Sequence, residues 1–257
     1  LPFRLDHINL FAFDTDAGWL LLDCGIKGAA TAAQWQALLD GPLAGRPVIG
    51  IIVSHYHADH IGYAGALVSQ TGAPIYMGAV EYEQASWGLS QRDADYAAVM
   101  VDCYRQFGLA DEHIDAARNT GNYYRFLVGD LPEVTLIDDS HQFITKAGCW
   151  KVRFDAGHSP GHMSLTDSDR QLHICVDFLL PRISPNISAK LRDLNADMLA
   201  DYLCYLDGMT HCPENWLIIP GHDWPYYGGG ARARQLCDHH AARLDQLLHM
   251  TGTTPIS

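Results

Sequence analysis

The sequence is short of positive charge. Lys and Arg number 17 against 30 Asp and Glu, a formal net charge of −13. Such a surface repels phosphate backbones and anionic bilayers, so neither nucleic acid nor a membrane is expected as a partner. Cys-x-x-Cys pairs are also missing. The seven cysteines (24, 103, 149, 175, 204, 212 and 237) are odd in number and scattered. That pattern opposes a disulfide framework and fits core thiols in a reducing, cytoplasmic compartment. No stretch approaches the roughly 20 uninterrupted apolar residues of a membrane span. The start, Leu1-Pro2-Phe3-Arg4-Leu5-Asp6, has neither an initiator Met nor a signal-peptide pattern and reads as trimmed. What is present suffices for a large core. With 257 residues, 48% hydrophobic and 18% charged, the chain is expected to form one domain over 1–257.

One stretch concentrates chemistry. The apolar run Ile49-Gly50-Ile51-Ile52-Val53 reads as a buried strand, and it stops at Ser54-His55-Tyr56-His57-Ala58-Asp59-His60. Residues two apart at a strand end point the same way, so His55 and His57 face one point. Asp59 and His60 open a helix with apolar positions at Ile61, Ala64, Ala66, Leu67 and Val68. Imidazole and carboxylate are natural ligands of a borderline metal such as zinc, so this is a metal site.

Before it, Ile8 to Phe13 and Trp19 to Asp23 read as strands. Asp23 is either a turn cap or a group that steadies a ligand loop. Thr31 is expected to cap a helix carrying Ala32, Trp35, Leu38 and Leu39, and Pro74 to Met77 forms another strand. This alternation is that of an α/β protein. From 79 to 127 the strand pattern gives way to helices rich in Tyr and Trp, a helical insertion. It is either a packed layer or a lid that shapes a pocket for an apolar substrate portion. Tyr96 and Tyr104 are its candidate substrate contacts.

Strands resume at Val134 to Asp138, Gln142 to Thr145, Trp150 to Phe154 and Leu172 to Val176, and at Trp216 to Ile219. Among them Gly157-His158-Ser159-Pro160-Gly161-His162 is a rigid turn. Asp177 and Pro220-Gly221-His222 again place a candidate ligand where an apolar strand ends. Asn195 to His211 and Ala231 to Met250 read as amphipathic helices.

Together these motifs, in this order, resemble the metallo-β-lactamase-fold hydrolases, over about residues 5 to 225. The subgroup most similar is glyoxalase II-like or uncharacterised and bacterial. The resemblance implies a four-layer αβ/βα sandwich with a two-metal site at one edge. It gives His55, His57 and His162 to one metal and Asp59, His60 and His222 to the second, with Asp177 bridging them. His158 falls outside that ligand set and is expected beside the substrate or behind a ligand. Val176 stands where the family often has Gly.

The expected cofactors are two divalent ions, zinc first with iron or manganese as alternatives. They acidify a bridging water to hydroxide, which Asp59 aims at a carbonyl. The expected activity is hydrolysis of a small acyl compound, foremost a thioester. Lactones, β-lactam-type amides and phosphodiesters are the alternatives. Arg182 and Asn186, in the loop after Asp177, are candidate contacts for a substrate carboxylate, phosphate or amide. A small-molecule substrate is the expected partner, and the chain is allowed to self-associate.

Overall fold

The computed structural model describes residue 1 and residues 5–251. Residues 2–4 and 252–257, the ends of the expected 1–257 domain, lie outside the described residues. In chain order the first half holds β1 (Phe11–Asp14), β2 (Trp19–Leu22), α1 (Ala29–Asp40), β3 (Val48–Ile52), α2 (Ala58–Ile61), α3 (Ala64–Thr71) and β4 (Ile75–Gly78). Four helices then fill the stretch 79–127: α4 (Ala79–Ser90), α5 (Asp93–Gln106), α6 (Asp111–Thr120) and α7 (Tyr123–Leu127). The second half brings β5 (Val134–Ile137), β6 (Gln142–Thr145), β7 (Gly148–Asp155), β8 (His162–Asp167) and β9 (Leu172–Val176). It closes with α8 (Met198–Met209), β10 (Leu217–Pro220), β11 (Tyr226–Tyr227) and α9 (Gly229–Thr251).

The strands form two mixed sheets, in the orders β1-β2-β3-β4-β5 and β11-β10-β9-β8-β7-β6. Side-chain alternation along the strands then builds four layers. Leu20, Leu22 and Ile52 of the first sheet meet Trp150, Val152, Leu165 and Ile174 of the second between the sheets. The opposite faces carry Leu21, Ile51 and Ile75 against Trp35 and Leu67 of α1 and α3. On the far side, Cys175 and Ile218 pack on Tyr202, Tyr205 and Leu206 of α8 and on Ala233 and Leu236 of α9. β3 is buried on both faces, which is why its sequence is a continuous apolar run. Each fully buried Leu or Ile in these layers contributes about 1.5–3 kcal/mol.

Two local readings change. The helix expected to begin at a Thr31 cap begins three residues earlier, with Gly28 at the cap and no side-chain cap bond. Thr31 instead turns its Cγ2 under the Gly25 turn. β8 is not among the strands expected from sequence, because only Met163 and Leu165 alternate with polar residues along its short length. Its place between β7 and β9 nonetheless buries it.

Candidate metal centre

Sheet direction gathers the candidate residues at one edge. β2 and β3 are parallel, as are β9 and β10, so the stretches after all four strands can open on the same side. β8 runs antiparallel to both β7 and β9, and Asp155 pairs with His162. The turn 156–161 therefore lands at that edge too.

Ring nitrogens and carboxylates converge there. Asp177 Oδ2 lies 3.4 Å from Nε2 of His60, of His158 and of His222, three residues from three separate segments of the chain. Asp59 Oδ2 lies 3.4 Å from His222 Nε2 and 3.9 Å from His60 Nε2. His57 Nδ1 is 3.0 Å from His55 Nε2 and 2.9 Å from His158 Nε2. Three groups have ligand atoms within 4.8 Å of one another: His55, His57 and His158; His55, His60 and Asp177; and Asp59, His60 and His222.

The other ring nitrogens explain this aim. His55 Nδ1 is held by the Ser54 hydroxyl (2.9 Å) and His60 Nδ1 by Asp23 (2.8 Å). His158 Nδ1 donates to the Asn186 carbonyl (2.8 Å), and His222 Nδ1 to the His7 carbonyl (2.6 Å). Each bond occupies Nδ1 and so turns Nε2 toward the cluster.

The sequence reading placed His162 with His55 and His57 and left His158 out. The structure reverses the two. The ring of His158 enters the cluster, whereas His162 Nε2 accepts the backbone N–H of Asp177 at 3.3 Å. His162 lies behind the cluster, its ring 4.8 Å from that of His55 and 4.4 Å from that of Phe178. His162 is the first residue of β8, whose pairing turns its side chain back into the fold. His158 sits in the free turn between β7 and β8 and can reach outward.

The cluster divides electrically. Burial, with neighbouring histidines, pushes His55 well below the usual histidine range and His57 down to about 3, and lowers His158. These rings are neutral at pH 7, the form that binds metal. Burial works against charge on His60 and His222 as well. The carboxylates around them win, lifting His60 well above the usual range and His222 to about 9. Asp177, despite its burial, is held well below the carboxylate range by His60, His222 and His158. His60 Nε2 and Asp177 Oδ1 are buried without a hydrogen-bond partner in the protein. Two buried polar atoms left unpaired inside such a nest of imidazoles and carboxylates fit divalent cations, which would displace the protons of His60 and His222.

Two supporting groups carried little or no sequence signal. Asp23 is 1% exposed, accepts from the backbone and hydroxyl of Ser54 and bonds His60, so it steadies the ligand loop rather than merely capping a turn. Glu81, in α4, is wholly buried and reaches two ligand loops. It had no signal beyond being one acidic residue in a helical pattern. The backbone is also strained at this edge. Asp23 (φ 62), Val176 (φ 45) and Asp223 (φ 73) all hold positive φ. For a β-branched residue such as Val176 that costs on the order of 1–3 kcal/mol, in the conformation glycine takes freely.

The remaining candidates separate. Arg182 lies on the rim, its side chain 72% exposed and paired with Asp223 at 2.7 Å. Asn186 reaches the cluster through its carbonyl, while its side-chain amide donates to Ser188. Tyr96 lines a cavity that adjoins His158, together with Tyr56, Trp87 and Tyr124. Among the described residues, Lys190 is the one Lys or Arg in that lining, and no Asp or Glu is part of it. Tyr104 is not there. It lines a neighbouring hollow between α5 and α6, with Met100 and Ala116.

Comparison with known proteins agrees with this geometry. The sequence profile described as the Metallo-beta-lactamase superfamily matches residues 4–230. A crystallised beta-lactamase domain protein from Burkholderia ambifaria superposes with a TM-score of 0.85 at 30% identity, over 100% of this chain and 76% of that one. The metallo-beta-lactamase family protein TTHA1429 from Thermus thermophilus gives 0.82 at 21% identity, over 98% and 80% respectively, a likeness of fold. A curated relative, exodeoxyribonuclease YycJ of Bacillus anthracis, is 37% identical over 68 residues. That match spans 26% of this chain and a quarter (25%) of the relative.

Proposed function

The chain belongs to the metallo-β-lactamase superfamily of metal-dependent hydrolases, and on that premise we propose that it is a dinuclear hydrolase of small acyl compounds, foremost thioesters. The observation that carries the two-metal reading is the convergence of three imidazole Nε2 atoms on Asp177 Oδ2 at 3.4 Å. In this reading His55, His57 and His158 hold one ion; Asp59, His60 and His222 hold the other; and Asp177 serves both. Zinc suits a histidine-rich donor set with two carboxylates, with iron and manganese as alternatives. Bound divalent ions supply Lewis acidity and make water a nucleophile at neutral pH.

The chain's own residues do the rest. Asp59, held at a pKa of about 2 by His60 and His222 despite its burial, is ionised and can accept a hydrogen bond from the attacking water and so aim it. The aromatic cavity beside His158 takes the substrate portion remote from the reacting carbonyl, and Lys190 favours an anionic group there. His158, expected beside the substrate, has its Nε2 committed to the ligand cluster and so is not free to protonate a leaving group. An amine leaving group needs a proton as its bond breaks; a thiolate, with a free pKa near 8.5, does not. Seven unpaired cysteines support a reducing, cytoplasmic setting.

The short likeness to an exodeoxyribonuclease favours a second reading, phosphodiester hydrolysis. The net charge of −13 speaks against a polynucleotide substrate. The test presents one acyl group as thioester, ester and amide to metal-loaded protein, with a phosphodiester alongside. The thioester is expected to turn over fastest. A faster amide or phosphodiester would reject the substrate class and leave the hydrolase standing.

A further inference from the structure

Glu81 sits in the first turn of α4 and is 0% exposed. Its Oε2 accepts the backbone N–H of Tyr56, the residue between His55 and His57, at 2.8 Å. Its Oε1 accepts the Ser159 hydroxyl at 2.8 Å and the Gly161 N–H at 2.5 Å. Ser159 and Gly161 belong to the turn that carries His158. One carboxylate thus joins a loop of the first sheet to a loop of the second.

Three donors on two oxygens are met in full only by an ionised carboxylate. A Gln, or a protonated Glu, would turn a donor of its own against one of these donors. Burial pushes the acid's pKa up to about 7, while the Tyr56, Ser159 and Gly161 bonds pull it down. Filling this space with an apolar side chain would avoid the cost of burying charge. The helix also lies hard against the turn: a Cβ on Gly161 would meet Val80 Cβ at 2.8 Å. On either side of the clamp stand His57 and His158, their facing nitrogens 2.9 Å apart.

We propose that Glu81 is a positioning residue that sets the spacing of His57 and His158. The first helix of the stretch 79–127 then shapes the metal centre as well as bordering the substrate cavity. From sequence that stretch is a packed layer or a lid over the substrate, with no part in holding the metal ligands. The inference rests on the ligand set proposed above.

The test loads wild-type and Glu81→Gln protein with zinc and removes it stepwise with a chelator of known affinity. In parallel, kcat and KM are measured separately on the thioester. In Glu81→Gln one of the two ions is expected to be held about ten-fold more weakly or worse, with the other nearly unchanged. The value of kcat is expected to fall by a similar factor, with KM held. Ser159→Ala keeps the carboxylate and removes one donor; the same ion is expected to loosen by about three-fold. Should Glu81→Gln not fold, Ser159→Ala carries the test. A lowered melting temperature with both ion affinities and kcat at wild-type values would show simple packing and overturn the proposal. Wild-type protein that binds no metal would instead fail the ligand set itself, a result distinct from variants that keep two ions as tightly as wild type. The affinity measurement holds whatever the substrate.

Discussion

His158 Nε2 lies 2.9 Å from His57 Nδ1, although the two residues are 101 positions apart. Of the two histidines in the turn, His158 is thus the one that meets His57. Two tightly held ions per chain are expected for wild type and one for His158→Ala. His162→Ala is expected to keep both ions and lose about 1–3 kcal/mol of stability, because it strips a bonding partner from the buried Asp177 N–H. Elemental analysis and chemical denaturation of the two variants check this, and the opposite metal contents would restore His162 as the ligand.

Gly221 precedes His222 and leaves no room for a side chain. A Cβ there would stand 2.4 Å from Asp177 Oδ1. Gly221→Ala is expected to displace the carboxylate that both histidine groups share, weakening both ions about ten-fold or more while the fold persists. Titration with a metal-sensitive dye, beside a circular-dichroism spectrum, separates loss of metal from loss of fold.

The cavity beside His158 makes a prediction about substrate range. Trp87→Ala or Tyr96→Ala is expected to change the preference among acyl groups with metal content unaltered, and Tyr104→Ala to change it little. Lys190→Met is expected to cost about ten-fold in kcat/KM on a substrate whose remote end is anionic, and almost nothing on its neutral analogue. Equal losses on every substrate, with reduced thermal stability, would instead mark these aromatics as packing.

Away from the metal centre, His173 carries a pH dependence. It is 4% exposed, lies within 2.9 Å of the Thr166 hydroxyl and 3.3 Å of the Tyr205 hydroxyl, and is lowered to about 4 by burial and then by Arg153. Its folded pKa is below its unfolded value, so the unfolded chain binds the proton first as pH falls. The contribution is complete above about pH 6.5 and is lost as pH drops toward 4. Between pH 7 and pH 5 that loss is about 2 kcal/mol. His173→Gln is expected to remove this part of the acid sensitivity, read as a smaller shift of the urea midpoint between those pH values. An unchanged shift would mean that His173 is not the group responsible.

Much of the centre was legible because its residues follow strands. Once β3, β9 and β10 are recognised, His55, Asp177 and His222 come at their ends, and two-residue alternation pairs His55 with His57. Turns obey no such period. Gly157 to His162 holds two histidines, and nothing local distinguishes the one that faces out. Glu81 was illegible for a related reason, since its three partners lie at positions 56, 159 and 161.

The sequence by itself determined the ligand chemistry, the α/β layering, the acidic surface and the family. Each of these follows from residue type or short periodicity, which need no knowledge of distant contacts. Only the tertiary structure decided that His158 and not His162 joins His57, that Asp23 braces His60, and that Lys190 sits among the aromatics. These depend on which groups meet across long separations: the Asn186 carbonyl turning the His158 ring, the β8 pairing that turns His162 inward, the Glu81 carboxylate gripping a loop 80 positions away. A hydrogen bond orients a side chain only after packing has brought its partner near, and that proximity is a property of the assembled sheets.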